Sequence, residues 1–320
     1  MKLSAIRPIA RVLSRELAIT AFLLIGVSFV VFIILYLSPG DPFSVLLEGQ
    51  MSSAEARAGV REALGVPQSW YAQYFSWLTG MLRGNFGASI RTGLPVLSEV
   101  LRVGFNTLIL TIGSMLVTLL IAVPIALYSA LRGTNRISWP LTMFAYVVSA
   151  LPVFWFGYIV LYIFMHKFGV FPLAFGSSSS QKYVWLYALI PIFVLGVGNG
   201  TISEVIRSLR AEMGRVMAED YIRTAKAKGA SVWKHSFKEG LLIPVTEIIA
   251  SKIPFILGGA VIVEQVFNWP GMGRMAWQAA QDRDYPVIMG IAILAAVFVR
   301  MGSLFQSVVY VVVNPRASKE

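Results

Sequence analysis

An all-α polytopic membrane protein with six transmembrane helices is the fold class this sequence predicts, and three observations predict it. The first is composition: 57% of the 320 residues are hydrophobic and 13% are charged, against about 25% charged in a soluble domain. The second is run length. A helix needs about 20 apolar residues to cross a bilayer, and six runs meet that need: Leu17–Leu37, Leu108–Leu131, Trp139–Met165, Val184–Ile206, Leu241–Val263 and Val287–Val313. The third is the distribution of charge. With the N-terminus placed in the cytoplasm, the inner segments 1–16, 132–138, 207–238 and 314–320 hold 16 Lys and Arg in 62 residues. The outer segments 39–104, 166–184 and 264–286 hold 9 in 108. Positive residues favour the cytoplasmic side, so both termini are expected there. The pI near 9.9 therefore reports topology and contact with membrane lipid, and nucleic acid is not an expected partner.

Taken in order, residues 1–16 carry Lys2, Arg7, Arg11 and Arg15, a cytoplasmic anchor facing anionic lipid. The first run is too long for a signal peptide's apolar stretch and lacks a small-x-small cleavage site, so it is expected to be retained. SPGDP at 38–42 reads as an exit turn. In the outer segment that follows, Ser52 and Glu55 form a candidate capping box opening a short helix toward Leu64. A second helix starts near Pro67, with Trp70, Tyr74, Trp77, Leu78 and Met81 at helical spacing. Two readings of that stripe stand, a helix lying on the membrane surface and a packed extracytoplasmic lid. Pro124, Pro152, Pro191, Pro244 and Pro254 fall inside spans, where each removes a helical hydrogen bond and bends the helix. GVGNG at 196–200 reads as close helix packing or a break in the fourth span, and Ser177–Ser180 as a short external turn.

Enzymatic chemistry finds no foothold. Cysteine is absent and His166 and His235 are the two histidines, which excludes thiol chemistry, disulfides and Cys/His metal sites. No phosphate loop of the form G-x-x-x-x-G-K-[ST] occurs, nor H-E-x-x-H or G-x-S-x-G. No catalytic residue, cofactor-binding residue or metal ligand is therefore assigned to this chain.

The exception to all this apolar sequence is EDYIRTAKAKG, residues 219–229, in the largest cytoplasmic loop. Glu219, Asp220, Arg223, Lys226 and Lys228 are charged. Acids near the start and bases near the end match the helix dipole, and Gly229 suits a left-handed cap. Tyr221, Thr224, Ala225 and Lys228 share a face, while small Ala225 and Ala227 permit close approach by another surface. Two readings stand here as well: a short capped helix that seats in a partner's groove, and an ordinary solvated loop.

The stretch D-Y-I-R-T-A-K-A-K-G, followed by Ile243-Pro244, resembles the Glu-Ala-Ala loop signature of ATP-binding-cassette importer permeases, in the version D-Y-V-R-T-A-R-A-K-G of the dipeptide/oligopeptide/nickel permease family. LSPGDP (37–42), YAQYFSWLTGMLRGNFGASIRTGLPV (71–96), LPVFWFGYIVLYIF (151–164), VEQVFNWPGMGRM (263–275), RDYPVI (283–288) and NPR (314–316) also match the family pattern. Together they run along nearly the whole chain and are highly specific. The resemblance implies the type I importer permease fold. The chain then divides into a cytoplasmic segment 1–16, a first span 17–38, an extracytoplasmic segment 39–104 with short interfacial helices, a transmembrane domain 105–313 with a cytoplasmic coupling loop 207–240, and a cytoplasmic tail 314–320. It further implies a second homologous permease, two ATPase subunits carrying ATP and Mg, and an extracytoplasmic solute-binding protein. Residues Glu219, Asp220, Tyr221, Ile222, Arg223, Thr224, Ala225, Lys226, Ala227, Lys228 and Gly229 would form the ATPase-coupling helix. Peptides or related small solutes are the implied cargo; relatives also carry nickel complexes, sugars and opine-like compounds.

Two cations lie inside the spans, Lys252 and Arg300. A charge at that depth needs a partner or a water-filled cavity. Glu247 is the expected partner of Arg300 within an apolar span, with Glu204 and Glu264 nearer the span ends. Lys252 either snorkels or pairs with Glu247. A pathway role remains a second reading for Arg300. The rival function is a self-contained secondary transporter or channel, which needs an ion-coordinating site within this chain.

Overall fold

The structure is a computed structural model that describes residues 6–38, 69–133, 135–168, 184–198 and 200–313. The capping box at Ser52, Pro67, the Ser177–Ser180 turn and the tail lie outside them. The described residues form twelve α-helices: α1 Ile6–Leu37, α2 Trp70–Leu82, α3 Val96–Arg132, α4 Ser138–Ala150, α5 Val153–Phe168, α6 Val184–Gly198, α7 Thr201–Ala218, α8 Asp220–Ala227, α9 Val232–Phe237, α10 Ile243–Val266, α11 Met272–Gln281 and α12 Tyr285–Val313. A π-helical turn, Lys238–Leu242, joins α9 to α10. Among the described residues the only β pairing is the isolated bridge between Ala88 and Pro95.

The six spans take two forms. Helices α1, α3 and α12 are each long and apolar enough to cross a membrane, and three bent pairs supply the rest. The third span, expected as one crossing over Trp139–Met165, is instead α4 and α5 meeting at 102°. The cause is local: Leu151 is extended at φ −73° and ψ 134°, because the ring of Pro152 disfavours a helical residue before it. The fourth span bends by 53° between α6 and α7, and the fifth by 55° between Ile253 and Ile256. Pro124 and Pro191, by contrast, stay inside helices α3 and α6. One lost hydrogen bond does not by itself break a helix that its neighbours support. Helix α3 also starts at Val96 rather than near Leu108.

The chain forms two compact units. One comprises residues 1–17, 107–269 and 299–320. Its apolar core gathers Leu110, Leu161, Leu195, Ile256, Val263 and Trp269, and a second cluster joins Ala122 and Ala126 to Ile206 and Leu209. Glycine permits the tightest approach in this unit. A Cβ on Gly196 would stand 2.7 Å from the Ser114 carbonyl oxygen, and the Thr118 hydroxyl donates to the Gly196 carbonyl at 2.7 Å. The GVGNG stretch is therefore both a packing contact and, through Gly200 at φ +71°, a break. Gly196→Ala is expected to destabilise by about 1–3 kcal/mol, since backbone rather than a mobile side chain must yield. A lowered unfolding midpoint of the solubilised protein checks this; a wild-type midpoint would show that α3 and α6 are not so close.

The other unit comprises residues 18–106 and 270–298. Val96, Val100, Val103, Met272, Ala279, Val287 and Ile291 are its core. The aromatic stripe expected near 70–81 is helix α2, and Tyr74 is buried. The Tyr74 ring sits among Phe29 and Phe32 of α1, at 5.4 and 5.3 Å between centroids. Its hydroxyl is hydrogen-bonded to Ser28 at 3.0 Å. This helix packs against α1 through Tyr74, while its Trp70, Tyr71 and Phe75 are exposed. The loop before α3 is tied down by Asp284, which accepts from the Ser89 hydroxyl and from the Ile90 amide at 3.1 Å.

Candidate functional site

Helix α7 is amphipathic: Ile202, Val205, Ile206, Leu209, Met213 and Val216 are buried along one stripe. The stripe continues the fourth span's packing beyond its apolar run, so α7 carries the chain out on a rigid rod of about 27 Å, at about 1.5 Å per residue. The rod ends at Glu219, which is extended at φ −65° and ψ 146°. Helix α8 then turns back and packs against α7 and α9. The buried side of α8 carries Ile222 and Ala225, which are 0% and 5% exposed. Gly240 of the π-helical turn lies against Met213 of α7, where a Cβ would stand 3.0 Å from the sulfur.

The far end of α8 is closed by a Schellman motif. The Ala230 amide donates to the Ala225 carbonyl at 2.9 Å and the Gly229 amide to the Lys226 carbonyl at 3.0 Å. Gly229 takes φ +67°, which is the left-handed conformation that motif requires. These bonds satisfy carbonyls that a frayed helix end would leave to water. An eight-residue helix is too short to persist by propensity alone; the buried pair and the cap hold it.

Packing also decides which face is offered outward, and here the sequence reading is corrected. Ala225, expected on a partner-facing side with Tyr221, Thr224 and Lys228, is turned inward. The outward ridge is Asp220, Arg223, Thr224 and Ala227, all exposed, at spacings of three, four and seven. Tyr221, Lys226 and Lys228 flank it and are exposed. Arg223 pairs with Asp220 at 3.3 Å, and Arg215 with Glu212 at 2.9 Å and Glu219 at 3.7 Å. Such exposed pairs are worth about 0–1 kcal/mol, so the ridge is shaped by the backbone and by small Ala227 rather than by its charges.

The cations within the spans find partners other than the expected one. Arg300 pairs with Glu16 of α1, and the Ser307 hydroxyl donates to the other oxygen of Glu16 at 3.1 Å. Lys252 pairs with Glu204 of α7. Glu247 is exposed and joins neither pair. Glu16 was overlooked because it sits among basic residues at a span's edge, yet it is the only acid in residues 1–37 and Arg300 is the only charge in α12. That complementarity was the available signal. Glu264 is fully buried and accepts from the Thr107 hydroxyl at 2.7 Å.

Residues 122–319 match a family profile described as binding-protein-dependent transport system inner membrane component. Residues 9–101 match the profile of the N-terminal part of such membrane components. The chain is 35% identical over 302 residues to the oligopeptide transport system permease protein AppB of Bacillus subtilis, covering 92% of this chain and 95% of that protein. It is 33% identical over 328 residues to the dipeptide transport system permease protein DppB of Alkalihalophilus pseudofirmus, covering 94% and 97%. Against the glutathione transport system permease protein GsiC of Salmonella typhimurium it is 34% identical over 311 residues, covering 95% and 97%.

Proposed function

The chain belongs to the family of binding-protein-dependent transport system inner membrane components, and from that premise we propose that it carries peptides and that α8 is the joint driven by its ATPase. It is the permease subunit of an ATP-binding-cassette uptake transporter, a multi-pass inner membrane protein. An ATPase and a solute-binding protein are its partners, and permease subunits of this kind are not themselves enzymes.

The observation that carries the proposal is the outward ridge of α8, held by Ile222 and Ala225 and closed by the Gly229 cap. A short, rigid, small-faced helix at the end of a packed rod is suited to seat in a cleft and transmit its motion. Closure of two ATPases, with ATP and Mg bound on them, would push α8 and tilt α7 and α10, opening the pathway alternately to each side. A second homologous permease would complete that pathway. Both termini are assigned to the cytoplasm; the charge distribution supports this, as does the Glu16–Arg300 contact between the start of α1 and the later half of α12. Peptide cargo is supported by the similarity to an oligopeptide and a dipeptide transport system permease.

The test is reconstitution into liposomes with the cognate second permease, ATPases and binding protein. ATP-dependent uptake of trialanine is expected, lost when any component is omitted, and the isolated chain should hydrolyse no ATP. Uptake by this chain alone down an ion gradient would establish the self-contained transporter instead.

A further inference from the structure

We propose that Glu204 and Lys252 form a binding site in the translocation pathway for the two charged termini of a peptide, an inference that rests on the peptide reading above. The pair joins α7 to α10. The side chain of Lys252 is 14% exposed and that of Glu204 44%, so the ammonium is set into the fold and the carboxylate is the more open of the two. An ionisable pair within membrane spans is costly and marks function by default.

Its place in the fold is particular. Glu204 lies one turn after Gly200, where α6 bends into α7, and Lys252 lies beside the bend between Ile253 and Ile256. Pro254 at that second bend has no amide hydrogen to give. Broken helices at membrane depth free backbone polar groups, which is tolerated where they are buried or line a water-filled cavity. The open face of α10, which Lys252 borders next to Ser251, fits the cavity. Its exposed described residues are Glu247, Ser251, Gly258, Ile262 and Gln265, falling along one side at spacings of four, seven, four and three. Helix α5 exposes Phe154, Trp155, Tyr158, Ile159, Tyr162 and Ile163, as a lipid-facing surface does. A face carrying Glu, Ser, Gly and Gln is not a lipid face.

The chemistry selects a zwitterion. When the site is empty, the two charges neutralise each other. A peptide's ammonium replaces Lys252 at the Glu204 carboxylate, and its carboxylate replaces Glu204 at the Lys252 ammonium. No charge is left without a counterion in either state, so the exchange avoids the desolvation cost that an unpaired charge would meet. A solute lacking one terminus makes only one of the two exchanges. The flexible arms of both side chains accommodate peptides of different length and any side chains.

The test uses the assembled complex of this chain, its second permease and the ATPases in nanodiscs, without the binding protein, so that only the pathway is probed. Saturation-transfer NMR reads binding of trialanine, N-acetyl-trialanine and trialanine amide. Lys252→Met is expected to weaken trialanine and N-acetyl-trialanine about tenfold, the worth of one charge-assisted hydrogen bond, without weakening the amide. Glu204→Gln is expected to weaken trialanine and the amide without weakening the N-acetyl form. An equal loss of all three, no loss, or no binding by the wild type overturns the site. So does failure of Lys252→Met and Lys252→Gln alike to assemble with the ATPases, which would make the pair a strut. Uptake separates the two readings: a complete transporter that accumulates trialanine while both variants bind like wild type sinks this site alone. A complete transporter that accumulates no trialanine sinks the peptide reading and the site with it.

Discussion

Arg300→Leu is expected to cost the protein about 3–5 kcal/mol, because it removes the cation from a largely buried charge pair at the edge of an apolar span. The Glu16 carboxylate accepts from Arg300 and from Ser307, and the side chains of the pair are 16% and 18% exposed. Only 6% of the apolar window of α1 is buried within the chain, against 33% for α3 and for α12. In its other unit α1 is gripped through Ser28, Phe29 and Phe32 around Tyr74; in this one, Glu16 is its anchor. The measurement is the yield and unfolding midpoint of the detergent-solubilised complex. Adding Glu16→Gln to Arg300→Leu should recover part of the loss, since a neutral amide can still accept from Ser307. A double variant no better than the worse single would show that the pair does not hold α1. Arg300 pairs with Glu16 and Glu247 is exposed, so Glu247→Gln alone should leave the midpoint within about 0.5 kcal/mol of wild type.

The second large effect is expected at the end of α8. Gly229→Val should abolish transport while the spans remain inserted. The reason is backbone rather than bulk: a Cβ at Gly229 meets nothing within 4 Å, but φ is +67°, and a β-branched residue there is strained by about 1–2 kcal/mol or more. Relieving that strain breaks the two bonds of the cap and turns the ridge away from its partner. Gly229→Asn should keep much of the activity, because asparagine tolerates the left-handed region. Ala227→Trp should also abolish transport, by placing an indole on the exposed ridge where a groove must close. Lys226→Gln and Lys228→Gln, at exposed charges, should do far less. Transport, membrane insertion and co-purification of the ATPases are measured in parallel. If Gly229→Val and Ala227→Trp both transport normally with ATPases bound, residues 219–229 are a solvated loop and the coupling proposal fails.

Legibility differed from one feature to the next for physical reasons. The stop of α8 at Gly229 was readable because few residues other than glycine reach the left-handed region cheaply, so composition reports backbone geometry there. The stripe Trp70 to Met81 was readable because its period is helical. Ala225 was assigned to the wrong face because periodicity sorts residues into faces without saying which face is inward. Ile222, one turn earlier and apolar in a polar helix, was the better guide. The bend at Pro152 could be read from the proline rule, yet Pro124 obeys the same rule inside an unbroken helix, so the rule alone does not place a break.

From the sequence alone came the six apolar spans, the asymmetry of positive charge between loops, the family signature and the ends of α8. All of these depend on residues close together in the chain or on sums over a segment. Tertiary structure alone decided that Arg300 meets Glu16, 284 positions away, that Lys252 meets Glu204, and that α10 leaves a polar side open. In water, burial and apolarity go together, so a sequence reveals which side of a helix faces in. In a bilayer the lipid is as apolar as the core, so apolar residues no longer mark the inside, and only the packed helices show which charges come within reach.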